Sequence, residues 1–305
     1  MVGAVANALI LYAMVASEVH KKQLLIFNQN AFDLCSSLLL VIIYTMKICD
    51  IPLTGMLGYL LCMIFFSDNL LWCSIIGSTI NLLSITVERY IKVVRSKWSN
   101  KLLRKWVKCS AAAFAWIASI VYNMATTFST SAVVDGVCYS YVFWKSEMAA
   151  LAHGVWNFVS FFVVVILVLV FCYANIVVVI RRQARVMAGH GGPAGSSTSH
   201  TQSSVIKTMI LVSAFYVVTW TPSYVVYLLL HIKTHLTSHD ATYYAGVFLG
   251  FFYISANPFI YAFKFSPVRR VLVGLIPWKR SQQAPGESVE MTVPGVPTRT
   301  TNQRN

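Results

Sequence analysis

Charged residues stand at unusual places in this sequence. Glu88, Arg89 and Tyr90 follow one another at the end of an apolar run that begins near Leu60, and Asp33 lies inside a second apolar run. Ionisable groups in such segments are costly to bury, so each one predicts a partner or a function. A buried carboxylate can bind a cation or exchange a proton. We therefore expect a bound sodium ion or a protonation switch at Asp33.

Small polar residues and prolines accompany these charges. Ser74, Ser78 and Asn81 recur at steps of four and three residues, which places them on one helical face that points into a helix bundle. Ser74 is most simply a contact between helices. Pro222 and Pro258 interrupt two further apolar runs, and each removes a backbone donor and kinks its helix. Kinked helices beside a buried carboxylate indicate helices that can pack in two alternative arrangements.

The elements that must position these residues are membrane helices. Of the 305 residues, 57% are hydrophobic and 11% are charged, whereas a soluble domain has about 25% charged residues. Six apolar runs are long enough to cross a bilayer, at 24–48, 60–90, 106–128, 148–180, 205–231 and 241–264. A shorter run, 2–16, is interpreted as the inner half of a first helix whose outer half is missing from this chain. The sequence therefore predicts an all-α membrane protein with a bundle of seven transmembrane helices.

The basic residues set the expected orientation. The 24 Lys and Arg residues fall almost entirely in the segments 17–23, 88–108, 181–207 and 264–305, whereas the alternate connections carry only Lys47, Lys145 and Lys233. By the positive-inside rule these four segments are cytoplasmic, which puts the C-terminus inside and the N-terminus outside. The formal net charge of +14 is then explained by the membrane surface and not by binding of nucleic acid.

The remaining segments have simpler patterns. Residues 1–276 are predicted to form one membrane domain that ends in a short amphipathic helix on the membrane surface, 266–276. The polar, proline-containing tail 277–305 is predicted to be disordered and cytoplasmic. Cys62 and Cys138 both fall on the outer side, where a disulfide can form. Cys49 lies near the same face and is the alternative partner.

In combination, the polar motifs resemble those of the rhodopsin-like (class A) G-protein-coupled receptors, and the resemblance covers nearly the whole chain. One such motif is weak support, whereas seven in order are specific. The resemblance implies a plasma-membrane receptor that is not an enzyme. The matching residues are Asn7, Asp33, Glu88-Arg89-Tyr90, Trp116, Tyr173, Trp220 and Pro222 within "YVVTWTP", and Asn257, Pro258 and Tyr261 within "NPFIY".

The resemblance also implies a mechanism. An extracellular ligand would shift the packing around Trp220, and the sixth helix would move outward. Arg89 would then be released from Glu88 to face a heterotrimeric G protein. Tyr173 and Tyr261 would turn inward to hold the open state.

Cofactors and further partners follow from the same resemblance. Sodium bound by Asp33, Ser78 and Asn257 would favour the inactive state. Retinal is not expected, because Phe251 stands where retinal-binding relatives carry a lysine. A receptor kinase and arrestin are expected to act at the C-terminal tail.

The positions that line the ligand pocket in the family are mostly aromatic here and offer few polar groups. Such a pocket suits a lipid-like, indole-like or peptide ligand as well as an amine. Asp68 either pairs with a cationic ligand or is a solvated residue at a helix end. The full set of expected lining residues is Asp68, Leu71, Trp72, Ile75, Asn157, Phe161, Trp220, Tyr224, Tyr227 and Phe251.

The chain departs from the family pattern in the core below this pocket. Tyr216 and Thr79 replace an apolar pair, and Val165 stands where a proline is usual. Coupling between the pocket and the Arg89 motif is therefore expected to differ. Cys62 lies 27 residues before Arg89, two more than is usual, which implies a bulge or a shifted helix start.

Other classes of protein remain open. A transporter could use Asp33 in an ion path, although no repeated halves are visible. A membrane-embedded zinc hydrolase needs metal ligands within the spans, yet the histidines fall in loops or near helix ends, with His153 the nearest to an exception. His231, His235 and His239 are spaced by four residues and could bind zinc or report pH. Solvated loop histidines are the simpler interpretation.

Overall fold

The computed structural model describes residues 1–49, 51–189, 197–232, 241–264 and 266–275. His235, His239 and the tail 277–305 lie outside these residues. Within them, six helices are long and apolar enough to cross a membrane, and Val2–Ala16 forms a shorter apolar helix. Packed together, they make a multi-pass bundle of seven helices, so the predicted all-α architecture is confirmed.

The elements follow one another in the order in which the apolar runs predicted them. Two π-helical segments, Cys62–Phe66 and Val159–Val163, lie within the third and fifth spans. The elements are α1 (Val2–Ala16), α2 (Val19–Lys22), α3 (Leu24–Ile48), α4 (Gly55–Leu61), α5 (Asn69–Val94), α6 (Ser96–Leu102), α7 (Lys105–Thr130), β1 (Ala132–Val134), β2 (Val137–Tyr139), α8 (Glu147–Phe158), α9 (Val164–Gly189), α10 (Ser197–His231), α11 (Ala241–Lys264) and α12 (Ser266–Gly274). The spans, from first to seventh, are α1, α3, α4 with α5, α7, α8 with α9, α10 and α11.

Helix α5 is the centre of the bundle. It packs against α3, α7 and α9, while α1 packs against α3 and α11, and α10 packs against α11 and α8. The outward faces remain apolar, as Phe114, Leu167 and Val218 illustrate, each of them more than half exposed. Apolar side chains on the outside and polar ones inside are the arrangement that a hydrocarbon solvent favours.

The third span is irregular at the residues where the Cys62–Arg89 spacing implied a bulge. After the π-helical segment, Asp68 adopts a left-handed conformation with φ 58° and precedes α5. The π-helical turn and the left-handed residue together accommodate extra chain within one span. The bulge inferred from the spacing is therefore present.

A short hairpin covers the end of the bundle near Cys62, which we call the disulfide end. Strands β1 and β2 pair antiparallel around Asp135 and Gly136, whose φ angles are both positive. Two positive φ angles are what the tightest hairpin turn requires. Cys138 in β2 is bonded to Cys62, so the predicted disulfide is present, and Cys49 is a free thiol.

Helix α12 follows α11 at the opposite end of the bundle, which carries Arg89 and which we call the Arg89 end. It packs against α1 and α11, with Val268 buried and Arg269 and Arg270 exposed. One apolar and one basic face suit a helix lying on a membrane surface. The helix ends at Gly274, and residue 276 of the predicted range lies outside the described part of the chain.

Candidate functional site

A cavity of about 860 Å³ lies at the disulfide end, among the third to seventh spans and the segment that follows the hairpin. Its wall includes Ser146 and Glu147, which are exposed, so the cavity reaches the protein surface. Eight of the expected lining residues do line it. These are Asp68, Trp72, Ile75, Asn157, Trp220, Tyr224, Tyr227 and Phe251.

Two of the expected lining residues are not in the wall. Leu71 is buried in the core and belongs to the main apolar cluster of the bundle. Trp72 and Ile75 of the same helix, α5, do line the cavity. Phe161 lies in the π-helical segment of the fifth span with its ring against Tyr122. Leu71 and Phe161 therefore do not line this cavity, although Trp72 and Ile75, which were predicted with them, do.

Asp68 is ion-paired. The ammonium of Lys47 in α3 donates to both carboxylate oxygens of Asp68, at 2.8 and 2.9 Å. The Asp68 carboxylate is therefore paired with a cation before any ligand binds, and it is not simply solvated. Lys47 itself is not in the cavity wall, and no sequence pattern indicated this pair.

A group of rings around His153 forms the wall between the fourth, fifth and sixth spans. The His153 imidazole lies within 3.3 Å of the Tyr122 hydroxyl and 3.4 Å of the Tyr227 hydroxyl. Trp144, from the segment after the hairpin, has its ring 4.8 Å from that of His153, and His231 has its ring at 6.3 Å. His153 is thus a cavity residue. Among the described residues no group of three His, Cys, Asp or Glu side chains could hold a metal ion.

Sequence reasoning missed Tyr122, Trp144 and His231 as lining residues. The helical pairs His153 with Asn157, and Tyr227 with His231, were a usable signal, because residues four apart share a helical face. Trp144 had no such signal, since it comes from an irregular segment whose backbone is held over the cavity by hydrogen bonds from Val142 and Phe143 to the Thr130 carbonyl.

Tyr141 also lines the cavity from the segment after the hairpin. Its hydroxyl lies 3.1 Å from that of Thr127. Burial raises the pKa of Tyr141 to about 12. The phenol is therefore neutral at physiological pH and adds no charge to the wall.

Asp33 lies in the middle of the bundle and is fully buried. The Asn257 amide donates to one carboxylate oxygen at 2.9 Å, and the Ser78 hydroxyl donates to the other at 3.5 Å. Gln29 in turn donates to Ser78. The three residues predicted to form one site do therefore lie together, although they come from the second, third and seventh spans.

A line of amides extends this group toward the fourth span. Asn81 donates to the Gln29 oxygen at 2.8 Å, Asn28 donates to the Asn81 oxygen at 2.9 Å, and the indole of Trp116 donates to the Asn28 oxygen at 3.0 Å. Four spans are thereby tied through one buried polar network. Its signal in the sequence was the polar run "NQN" that precedes Asp33 by a single helical turn.

The residues around Asp33 fit a hard cation. Such ions take oxygen ligands, and carboxylate and hydroxyl oxygens are present in Asp33 and Ser78. The Asn257 side-chain oxygen is buried and has no hydrogen-bond partner among the described residues. The cavity wall, in contrast, does not include Asp33.

The triplet at the Arg89 end is paired differently from the family pattern. Glu88 binds Lys92 at 2.6 Å and Lys108 at 3.2 Å. Arg89 is buried and its guanidinium donates to the Gln23 side-chain oxygen. Arg89 was expected to be held by Glu88. Instead, it forms a hydrogen bond with the side-chain amide of Gln23 at the start of the second span.

Residues between the cavity and this end make polar contacts across spans. The Tyr216 hydroxyl donates to the Phe161 carbonyl at 3.0 Å and lies 3.5 Å from the Thr79 hydroxyl. The Ser213 hydroxyl donates to that of Tyr173 at 3.3 Å. Tyr261 is buried, and Tyr90 packs its ring at 5.8 Å from that of Phe171. Helix α10 thus carries Tyr216 and Ser213 below Trp220, which lies in the cavity wall.

Comparisons with known proteins agree on the kind of protein. The family model described as "7 transmembrane receptor (rhodopsin family)" matches residues 6–261. Lysophosphatidic acid receptor 1-A of Xenopus laevis is 27% identical over 202 residues, which are 65% of this chain and 52% of the relative. Human lysophosphatidic acid receptor 3 is 28% identical over 204 residues, 66% of this chain and 55% of the relative.

Two further matches extend over more of the chain. Sphingosine 1-phosphate receptor 1 of Danio rerio is 23% identical over 281 residues, 88% of this chain and 74% of that receptor. The crystal structure of squid rhodopsin superposes with a TM-score of 0.71 and 18% identity, covering 92% of this chain and 83% of that one, a likeness in fold. The chain spans about half the length of the lysophosphatidic acid receptors that it matches.

Proposed function

The chain belongs to the rhodopsin family of seven-transmembrane receptors, which are not enzymes, and from this premise we propose that it converts binding of an extracellular ligand into activation of a heterotrimeric G protein. One observation carries the proposal. Helix α10 contributes Trp220 to the cavity wall and, farther along, Tyr216 and Ser213 to contacts with neighbouring spans, so a displacement of this helix links the two ends of the bundle.

The proposed sequence of events begins at the cavity. A ligand that packs against Trp220 displaces α10, whose interior proline, Pro222, makes it easier to bend there. The hydroxyl bond from Tyr216 to the Phe161 carbonyl is then lost, and Tyr173 is released from Ser213. A ligand can shift this balance only by its different affinity for the two arrangements.

At the Arg89 end, outward movement of α10 opens a cleft between α5 and α10. Arg89 leaves Gln23 and faces the G protein, and Tyr173 and Tyr261 turn inward to support the open arrangement. Glu88 stays with Lys92 and Lys108, so it is a fixed part of the helix end and not the group that restrains Arg89.

Sodium fits this scheme as an inhibitory ion. Asp33, Ser78 and Asn257 would hold it between the second, third and seventh spans. An ion that bridges those spans stabilises the arrangement in which the three residues lie together. We propose that this is the closed arrangement.

The setting follows from the orientation of the basic segments. The Arg89 end lies on the cytoplasmic side of the plasma membrane, and the disulfide end lies on the extracellular side. The tail 277–305 carries several Ser and Thr residues, which we propose as sites for a receptor kinase and for arrestin binding.

A transporter is the less favoured function. Asp33 would have to be reached from a water-filled path, yet the described wall of the cavity does not include it. Its carboxylate is also engaged by Asn257 and Ser78. The observation favours a switch at Asp33 over a path.

The proposal is tested by nucleotide exchange on purified G proteins of each class, with the full chain in lipid nanodiscs. Basal exchange is compared for the chain as it is, for Arg89→Ala, and for Gln23→Ala, which frees Arg89. We expect Gln23→Ala to raise exchange for at least one class and Arg89→Ala to abolish it. If no class responds to any of the three proteins, or if Arg89→Ala makes no difference, the receptor mechanism is wrong.

A further inference from the structure

The segment that joins α5 to α7 carries a regular alternation of basic and apolar residues. The pairs Lys97-Trp98, Lys101-Leu102 and Lys105-Trp106 recur every four residues, and Arg95 and Arg104 add two further cations. The first two pairs lie on α6, where residues four apart are neighbours on the helix surface. The two lysines of α6 therefore adjoin each other, and so do its two apolar residues.

The five cations of this segment are exposed, and none of them forms an ion pair with another residue in the described part of the chain. The sequence has no Asp or Glu between Glu88 and Asp135. Glu88 itself is already bound by Lys92 and Lys108. A group of cations without counter-charges of its own attracts an anion from outside the protein.

Large apolar side chains of the same segment are also exposed. Trp98 is 57% exposed, Leu102 43% and Trp106 64%. The boundary between lipid headgroups and hydrocarbon suits tryptophan and accommodates lysine beside it. A segment that is merely solvated would explain the cations, but it would not explain two tryptophans placed among them.

The geometry of α7 places this segment at that boundary. Trp106 and Ile117 are 11 residues apart, which is about three helical turns, so they lie on the same side of α7, and both are more than half exposed. Helix α7 has 26 residues and is therefore about 39 Å long, whereas the hydrocarbon core is about 30 Å thick. The first turn of α7 therefore extends beyond the hydrocarbon and lies among the headgroups.

We propose that this surface binds the headgroup of a phosphoinositide lipid. Lys and Arg bind phosphate groups, and a phosphoinositide carries several phosphates on one ring, so it can contact several neighbouring cations at once. The tryptophans pack against the glycerol and the upper acyl chains. The side chains that form this surface, which we call the basic patch, are Lys97, Lys101, Arg104 and Lys105 with Trp98 and Trp106.

The proposal goes beyond the receptor function. The leaflet that supplies the lipid is the cytoplasmic one under the orientation proposed above. Binding itself depends neither on that orientation nor on activation of a G protein. It can therefore be measured in a membrane with both leaflets accessible and without a receptor ligand.

Energy transfer from lipid to protein measures this binding. The full chain with Cys49→Ser is labelled with an acceptor dye at the exposed thiol of Cys109, in the second turn of α7. It is placed in phosphatidylcholine nanodiscs that contain increasing fractions of phosphatidylinositol 4,5-bisphosphate with a donor dye on an acyl chain. The chain with Cys109→Ser, labelled at Cys49 instead, reports the transfer from lipid that is distributed at random.

We expect transfer that saturates at Cys109 and does not saturate at Cys49. A cation at a membrane surface strengthens the attraction of anionic lipid by roughly fivefold, so neutralising the four cations of the basic patch should raise the half-saturating lipid fraction at least about tenfold. Trp98→Ser with Trp106→Ser keeps every charge and should also raise this fraction, because the apolar contact is lost. The four cations are neutralised by Lys97→Gln, Lys101→Gln, Arg104→Gln and Lys105→Gln.

A matched control removes the same charge from elsewhere on the protein. It neutralises four exposed arginines of α9 and α12 and should leave the half-saturating fraction nearly unchanged. Thermal unfolding of each protein shows whether the substitutions disturb the fold. The control substitutions are Arg181→Gln, Arg182→Gln, Arg269→Gln and Arg270→Gln.

Unlabelled competitors identify the headgroup. Phosphatidylinositol 4,5-bisphosphate should displace the labelled lipid, whereas phosphatidylserine at equal total charge should not. Inositol trisphosphate, the soluble headgroup, should displace it only at much higher concentration, because it has no acyl chains to pack against the tryptophans. Equal displacement by phosphatidylserine would show a general attraction to anionic lipid and overturn the proposal. Equal displacement by the soluble headgroup would assign the patch to a free phosphate ester.

The variants separate the remaining outcomes. An equal effect of the control set would attribute binding to net charge and contradict a site at the basic patch. If neutralising the patch leaves energy transfer unchanged but abolishes nucleotide exchange, the patch binds the G protein and not a lipid. Saturable transfer that requires the patch, in a chain that activates no G protein, would support the lipid site and contradict the proposed receptor function alone.

Discussion

Removal of one hydroxyl should loosen the closed arrangement of this receptor. Tyr216 is almost completely buried, and its hydroxyl donates to the Phe161 carbonyl at 3.0 Å, which ties the sixth span to the fifth. The Thr79 hydroxyl, at 3.5 Å, is at the limit of hydrogen bonding and contributes less. Tyr216→Phe deletes these contacts and keeps the ring in place.

The size of the effect follows from the single strong bond. A buried hydrogen bond of this kind contributes about 1 kcal/mol. If it is made only in the closed arrangement, its loss shifts the balance toward the open one by about fivefold. Because an open state of such a protein is a minor population, the basal signal should rise by nearly the same factor.

The assay is basal nucleotide exchange on the responsive G protein class, in nanodiscs, at equal receptor concentration. Tyr12→Phe is the matched control, since Tyr12 is more than half exposed on the first span, and it should leave exchange unchanged. Thermal unfolding of both proteins separates a shifted balance from a loss of folding. If exchange by Tyr216→Phe equals or falls below that of the unaltered chain, the Tyr216 hydroxyl does not hold the closed arrangement.

Three further sets of substitutions test the contact between Arg89 and Gln23, the disulfide, and the ion site at Asp33. Gln23→Glu places a negative charge opposite Arg89 and strengthens the hydrogen bond between the two residues about twofold. Basal exchange should therefore fall with Gln23→Glu and rise with Gln23→Ala. Equal effects of the two substitutions would show that this contact does not restrain Arg89. Replacing Cys62 and Cys138 together by Ser opens a loop of 76 residues. This should lower the free energy of unfolding by about 4 kcal/mol, which is measured by thermal unfolding. An unchanged unfolding temperature would show that the hairpin is held by packing alone. Asp33→Asn should abolish any rise in thermal stability when sodium chloride replaces choline chloride, and a rise that persists would exclude Asp33 from the ion site.

The apolar runs were sufficient to predict the architecture. Each run long enough to cross a bilayer is a helix, and the interior positions of Pro222 and Pro258 follow directly from the sequence. The common side of the membrane predicted the disulfide between Cys62 and Cys138 but left Cys49 as an alternative partner, which the structure shows as a free thiol. The hairpin was missed, although Asp135-Gly136 between apolar residues is a strong hairpin signal.

The site was less accessible to sequence reasoning because its partners are remote in the chain. Arg89 and Gln23 are 66 residues apart, and no pattern of helical spacing links them. The same holds for Lys47 and Asp68, which are 21 residues apart and belong to different spans. Leu71 and Trp72 are adjacent in the regular helix α5, and the sequence does not show which of the two side chains meets the cavity.

In the proposed mechanism, movement of α10 away from α5 exposes Arg89 to a G protein. Spin labels are placed at Ser96→Cys, the first residue of α6 just after the end of α5, and at Lys207→Cys in α10. In a chain with the exposed thiols removed by Cys49→Ser and Cys109→Ser, they report the distance between the end of α5 and α10 at the Arg89 end of the bundle. On addition of nucleotide-free G protein, we expect a longer distance in the labelled protein and no lengthening when Arg89→Ala is added. An unchanged distance in a complex that has formed, or the same lengthening without Arg89, would contradict the proposed movement.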